Sequence, residues 1–144
     1  MRFMLELGKG FSFVGKQFHL EVGGDDFYID LLFYHVRLHC YVAIELKKGT
    51  FKPEYTGKMN FYLTVLDEQV KMPEDAPSIG LILCRDRNNI VAEYALREIN
   101  KPIGISRYTL GQNLPDRFRA SLPTPEEFQT ELAKVQEDKT DTFE

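Results

Sequence analysis

Residues 27–47 read FYIDLLFYHVRLHCYVAIELK, and this stretch decides the fold. Its halves, FYIDLLFYH (27–35) and LHCYVAIELK (38–47), are rich in aromatic and β-branched side chains, with a short polar break at Val36-Arg37. Segments of that composition and length read as strands, and the short break makes them consecutive neighbours in an antiparallel meander. Each strand also carries charge where a core strand should not. Asp30 sits amid Ile29, Leu31, Leu32 and Phe33, while Glu45 and Lys47 follow Val42, Ala43 and Ile44. Burying an ionised carboxylate costs several kcal/mol unless it is paired or bound to a metal. Sequences accept that cost mainly at functional sites.

Strand geometry sharpens the point. Glu45 and Lys47 are two apart, so they share one face, roughly 6–7 Å along the strand. Val42, Ile44 and Leu46 take the other, which is expected to be the core face. With Asp30 in matching register on the neighbouring strand, Asp30, Glu45 and Lys47 form one patch. Two carboxylates so placed suit Mg²⁺, which uses one or two carboxylates plus water and substrate phosphate. A lysine beside them would stabilise phosphate charge or orient an attacking water. The competing reading is structural: a hydrogen-bonded Asp at a strand edge and a solvated Glu–Lys pair.

Working outward, MRFMLEL (1–7) reads as the end of a helix stopped by Gly8 and Gly10. A first strand is expected over 11–22, then a Gly-Gly-Asp-Asp turn. After Lys52-Pro53 the period changes. Apolar residues at Tyr55, Met59, Tyr62, Leu63, Leu66 and Val70 predict a helix of about 17 residues with one buried face. Residues 72–78 hold two prolines and read as a loop, and IGLILC (79–84) as a buried central strand. A second helix is expected over 89–99, with Ile90, Tyr94 and either Ala95 or Leu96 inward, and an edge strand over 103–110. Thr124-Pro125-Glu126-Glu127 is a capping box that starts a helix to about residue 137. The order is that of an α/β mixed sheet, with a parallel, right-handed crossover from the third strand to the fourth.

The 144 residues make one ordinary domain of 1–123 followed by a C-terminal helix and acidic tail, 124–144. The net charge is −4, which argues against a simple nucleic-acid coat. The segment 124–144 alone holds seven acids and two lysines, net −5, leaving 16 basic and 15 acidic residues in the body. No apolar run approaches the roughly 20 residues a membrane helix needs, and no secretory signal is evident. Cys40 and Cys84 each lie within an apolar run and read as buried free thiols of a reducing cytoplasm. No Cys/His spacing suits zinc. His19, His35 and His39 all fall in strand-like segments.

Asp30, then Glu45-Leu46-Lys47, resembles the PD-(D/E)xK signature of the restriction-endonuclease-like nuclease superfamily, with Ile29 where the motif's name has proline. The strings LELGKGFSFVGKQFHLEVGGDDFYIDLLFYH, IELKKGTFKPEYTGKMNFYL, PSIGLILCRDRN and VAEYALREINKPIGIS resemble the C-terminal nuclease domain of bacterial YhcG-type proteins. The likeness runs from residue 5 to about residue 122.

That resemblance implies a restriction-endonuclease-like mixed β-sheet core of order α-β-β-β-α-β, flanked by helices. It implies a Mg²⁺-dependent deoxyribonuclease, an endonuclease of DNA restriction, repair or recombination, with Mn²⁺ able to substitute. Asp30 and Glu45 would ligate the metal, the Leu46 carbonyl would add a ligand, and Lys47 would be the catalytic lysine. Glu21 reads equally as an outer acid holding a metal-bound water and as a solvent-facing residue. A Q-x-x-x-Y pattern common in related nucleases falls on Lys58-Met59-Asn60-Phe61-Tyr62, so Tyr62 matches and Lys58 replaces the glutamine. Lys48, Lys52 and Lys58 are the expected DNA contacts. Lys9, Lys16, Arg85, Arg87 and Arg107 are further basic residues able to flank a strand.

Relatives also carry an acidic residue on a preceding helix and an N-terminal DNA-binding domain, and this chain reads as a nuclease domain isolated from both. Two other readings stand beside it. One is a catalytically silent module that binds nucleic acid or docks a partner. The other, compatible with either, is a homodimer formed through the aromatic-rich strands.

Overall fold

The computed structural model describes residues 10–107 of the chain. Two long strands, β1 (Phe11–Val22) and β2 (Asp25–His35), pair antiparallel. Their two-residue turn, Gly23-Gly24, has φ of 59° and 88°. Both values lie where only glycine is unstrained, which is why this hairpin turn carries two. A second turn leads to β3 (Cys40–Leu46), antiparallel to β2. His39 belongs to that turn, with φ 55°, and not to the strand expected from residue 38.

The chain then crosses over. Helix α1 (Glu54–Val65) opens directly after Pro53 and widens into a π-helical turn, Leu66–Val70. The Lys71 N–H donates to the Leu66 carbonyl at 2.8 Å, which closes it. The two together span the 17 residues that the apolar periodicity marks. Strand β4 (Ile79–Cys84) returns parallel to β3. Helix α2 (Asn89–Leu96) follows, and β5 (Ile103–Arg107) pairs parallel with β4 at the sheet edge. The sheet order is β1-β2-β3-β4-β5.

The core differs from the sequence expectation in one respect that matters for the site. Val42, Ile44 and Leu46 are indeed buried, but so are Ala43, Glu45 and Lys47 on the opposite face. Helix α1 packs on the face of Ala43. There Leu32, Ala43, Ile82 and Ile105 form one apolar cluster with Met59, Tyr62, Leu63 and Leu66. A strand beside a parallel neighbour is covered on both faces, so alternation cannot tell which face receives the helix. Each fully buried apolar side chain contributes roughly 1.5–3 kcal/mol. The close approach of α1 depends on Gly80 of β4: a Cβ there would lie 2.6 Å from Met59 Cγ.

Helix α2 is also turned relative to expectation. Ile90 and Tyr94 are 64% and 65% exposed, while Ala92 is buried and Val91, Ala95 and Leu96 pack on the core. Six of its eight residues are apolar or aromatic, so the period does not select a face. The Asn88 side chain fixes where the helix starts, accepting from the Ile90 and Val91 N–H groups as the N-cap. Both cysteines are buried free thiols. No described helix is long and apolar enough to cross a membrane. The helix expected over 1–7, the end of the strand expected to residue 110, and the helix and tail beyond residue 123 lie outside the described residues.

Candidate active site

The register of three strands assembles the charged residues. Leu31 pairs with Ile44, which sets Asp30 opposite Glu45. Lys16 pairs with Leu31 and Phe18 with Ile29, which sets Gln17 opposite Asp30. Glu45 in turn lies beside Ile82, and Ile82 beside Ile105. One row across the sheet is therefore polar over β1, β2 and β3 and apolar over β4 and β5.

The polar half is knitted by hydrogen bonds. The Asp30 N–H donates to Glu45 Oε2 at 2.9 Å, and the Leu46 N–H donates to Asp30 Oδ2 at 2.9 Å. Gln17 Nε2 donates to Asp30 Oδ1 at 3.3 Å. Lys47 continues past the strand end, its N–H bonded to the Leu83 carbonyl at 2.8 Å. Its ammonium stands 3.8 Å from Glu45 Oε1 and 4.6 Å from the centre of the Tyr55 ring.

Burial makes this arrangement electrostatically unusual. Asp30, Glu45 and Lys47 are only 1%, 2% and 5% exposed. Two carboxylates and an ammonium are thus drawn together in a place that disfavours charge. The Tyr62 hydroxyl feels the same field: burial first, then the Glu45 and Asp30 charges, hold its pKa well above the usual phenol value. Among the described residues Glu45 Oε1 accepts no hydrogen bond and faces the Lys47 ammonium instead. The donor set fits a hard divalent cation, which takes one or two carboxylate ligands and completes its shell with water and phosphate oxygens. Among the described residues no group of three or more His, Cys, Asp or Glu side chains converges.

The other residues singled out from the sequence fall around this centre unequally. Tyr62 is buried on α1, and Lys58 lies one turn earlier, exposed, with its ammonium 5.7 Å from the Tyr62 ring centre. Lys48 and Lys52 are exposed just past β3. Glu21 is not brought to the cluster. It is exposed near the hairpin tip, four residues beyond Gln17, or about 13 Å along the strand.

Two participants escape sequence reading. Gln17 reads as an ordinary strand residue, yet it has φ of 46°, in the left-handed region that a residue other than Gly, Asn or Asp rarely enters. Only the Lys-Gln step opposite an Asp hints at it, and that needs the register. Tyr55 reads as one more apolar position of α1. Its polar partner could have been inferred only by placing the helix start beside the end of β3.

Paired carboxylates on adjacent strands, with a lysine two residues after the second, on a mixed sheet with an α-crossover, define a nuclease-type domain of the PD-(D/E)xK class. Two solved structures share this fold at 14% identity: EndoMS in a dsDNA complex, with TM-score 0.53 over 76% of this chain and 41% of that one, and EndoMS in apo form, with TM-score 0.50 over 75% and 42%. The model of the YhcG PDDEXK nuclease domain family matches residues 1–123, and the chain belongs to that family. "Putative nuclease YhcG" of Escherichia coli (strain K12) is 41% identical over 119 residues, which are 83% of this chain. The chain spans 31% of the length of that relative.

Proposed function

We propose that this domain is a Mg²⁺-dependent DNA endonuclease centred on Asp30, Glu45 and Lys47. The observation that carries the reading is the buried, cross-bonded Asp30–Glu45 pair with Lys47 at its side. Asp30 and Glu45 would hold the cation, with the Leu46 carbonyl at hand and Mn²⁺ able to substitute. When bound, the cation would lower the pKa of its water and neutralise charge on the scissile phosphate. Lys47 holds a proton on an ammonium fixed between Glu45 and Tyr55, and there it offsets charge that develops on the phosphate. Burial, with the Glu45 and Asp30 charges, keeps the Tyr62 hydroxyl neutral beside the proposed centre. DNA as substrate is supported by the dsDNA complex of a neighbour in fold, and by the exposed lysines at 48, 52 and 58. We take 1–123 as the nuclease domain and 124–144 as an appended segment, working in the bacterial cytoplasm beside a DNA-binding domain carried elsewhere in such proteins.

The test compares wild type, Lys47→Ala and Asp30→Ala on plasmid DNA with Mg²⁺ or Mn²⁺, alongside calorimetric titration with Mn²⁺. Wild type is expected to bind Mn²⁺ and nick DNA, Lys47→Ala to bind without cutting, and Asp30→Ala to do neither. Equal cutting by wild type and Lys47→Ala would overturn the assignment. Lys58 in place of the glutamine favours the rival reading, a catalytically silent module that binds nucleic acid or docks a partner, and absence of Mn²⁺ affinity would establish it.

A further inference from the structure

The edge of the sheet that carries the site is electrically lopsided. Strands β3, β4 and β5 run parallel, so their C-terminal ends lie together: Leu46 is beside Leu83, and Cys84 beside Arg107. The loops leaving β3 and β4 are laced to each other. Thr50 bridges Asp86, the Arg85 N–H donates to the Gly49 carbonyl at 3.1 Å, and the Phe51 N–H to the Asp86 carbonyl at 2.8 Å. Residues 47–53 and 85–88 with Arg107 thus form one rim, holding six basic side chains and a single acid, Asp86.

On the other side of Asp30 the β1–β2 hairpin projects past the end of β3. Its tip, residues 21–26, carries three acids, Glu21, Asp25 and Asp26, and no lysine or arginine. The site therefore sits between an acidic finger and a basic ledge.

Within the ledge the roles differ. Arg87 is tied down, with Nη1 donating to the Ile105 carbonyl at 2.5 Å, so it braces β5. Lys48 and Arg85 are exposed, and Arg107 is 66% exposed, its Nε 3.7 Å from Asp86. From Lys47 to Arg107 the ledge crosses two strand spacings, about 10 Å. Duplex DNA carries a charge about every 1.7 Å along its axis, so several phosphates can meet a ledge of that length.

We propose that Lys48, Arg85 and Arg107 form a phosphate-binding ledge that holds the DNA backbone on the β4–β5 side of the site, and that the acidic hairpin tip excludes DNA from the β1–β2 side. This rests on the reading of the domain as a DNA enzyme and adds a polarity to it. The duplex would leave the cutting centre over the ends of β4 and β5, not along the hairpin. Such contacts are to the backbone, so they hold any sequence equally.

The experiment uses the full chain and a fluorescein-labelled random-sequence duplex in EDTA, where no cutting occurs, with binding followed by anisotropy across a salt series. Removing the ledge with Lys48→Ala, Arg85→Ala and Arg107→Ala together should weaken binding several-fold and lower the slope of log K against log salt by about 3, and Arg85→Ala alone by about 1. Arg37→Ala with Lys101→Ala, at the opposite edge of the sheet, should leave the slope unchanged. Asp25→Asn at the tip should leave binding equal or tighter. A slope unchanged in the triple variant, or weaker binding by Asp25→Asn, overturns the ledge while the DNA reading stands. A wild type that binds no duplex at low salt overturns both.

Discussion

The Lys47 ammonium lies over the face of the Tyr55 ring, 4.6 Å from its centre, and 3.8 Å from Glu45 Oε1. A desolvated cation over an aromatic face gains up to about 2 kcal/mol. Here the ring fixes where the proton-bearing nitrogen of the proposed centre stands. Tyr55→Phe keeps the ring and should cut DNA nearly as well as wild type. Tyr55→Leu should cut roughly 3–30-fold more slowly at saturating DNA, the range that about 0.5–2 kcal/mol allows. Single-turnover rates check this, and equal losses in the two variants would show that the ring face is not what matters.

Asp30 does two jobs at once, and a pair of variants separates them. Its Oδ2 accepts from the Leu46 N–H in a fully buried setting. Asp30→Ala leaves that N–H without its acceptor, at a cost of about 1–3 kcal/mol, whereas Asp30→Asn retains an acceptor oxygen. The Asn variant should therefore melt above the Ala variant. Wild type should gain thermal stability on addition of Mn²⁺ through mass action, and neither variant should. Calorimetric melts with and without Mn²⁺ measure both effects together.

Gly80 is where the helix meets the sheet. Gly80→Ala pushes a methyl to within 2.6 Å of Met59 Cγ, a fully buried atom that cannot swing aside into solvent. Overpacking of this kind costs about 1–3 kcal/mol. Chemical denaturation should show that loss, and Met59→Ala added to Gly80→Ala should recover part of it. Additive losses would argue that the two residues do not collide.

The two thiols set an alkaline limit. Burial pushes Cys40 up to about 11, helped by the Asp75 and Asp67 charges. Burial also pushes Cys84 up to about 11, against the opposing pull of Lys47 and Arg87. In the unfolded chain each thiol ionises near 9.0, the ordinary value. The folded state holds its protons more tightly, so its stability is complete below about pH 9 and falls as pH rises from there through about 11. Urea unfolding across that window should show the decline, and Cys40→Ala with Cys84→Ala should flatten it. In the native protein at neutral pH neither thiol should react with iodoacetamide, since the thiolate is the nucleophile.

Much of this molecule is legible in one dimension. The strand over Phe11–Val22, the strand over Ile79–Cys84 and the 17-residue helical run all follow from composition and period. Asp30, Glu45 and Lys47 stand out because charge in an apolar strand carries a desolvation cost that local structure cannot offset. Tertiary structure decided what depends on register and on which face is covered. It set Gln17 opposite Asp30, turned Ile90 and Tyr94 to solvent, put α1 on the face of Glu45, and left Glu21 at the hairpin tip. Periodicity reports that a side chain is apolar or charged, but not which neighbour a strand two turns away will bring to it. The choice of charged residues was thus written in the sequence, while their partners, and with them the burial that makes their charge matter, arose only when three strands and a helix closed around one point.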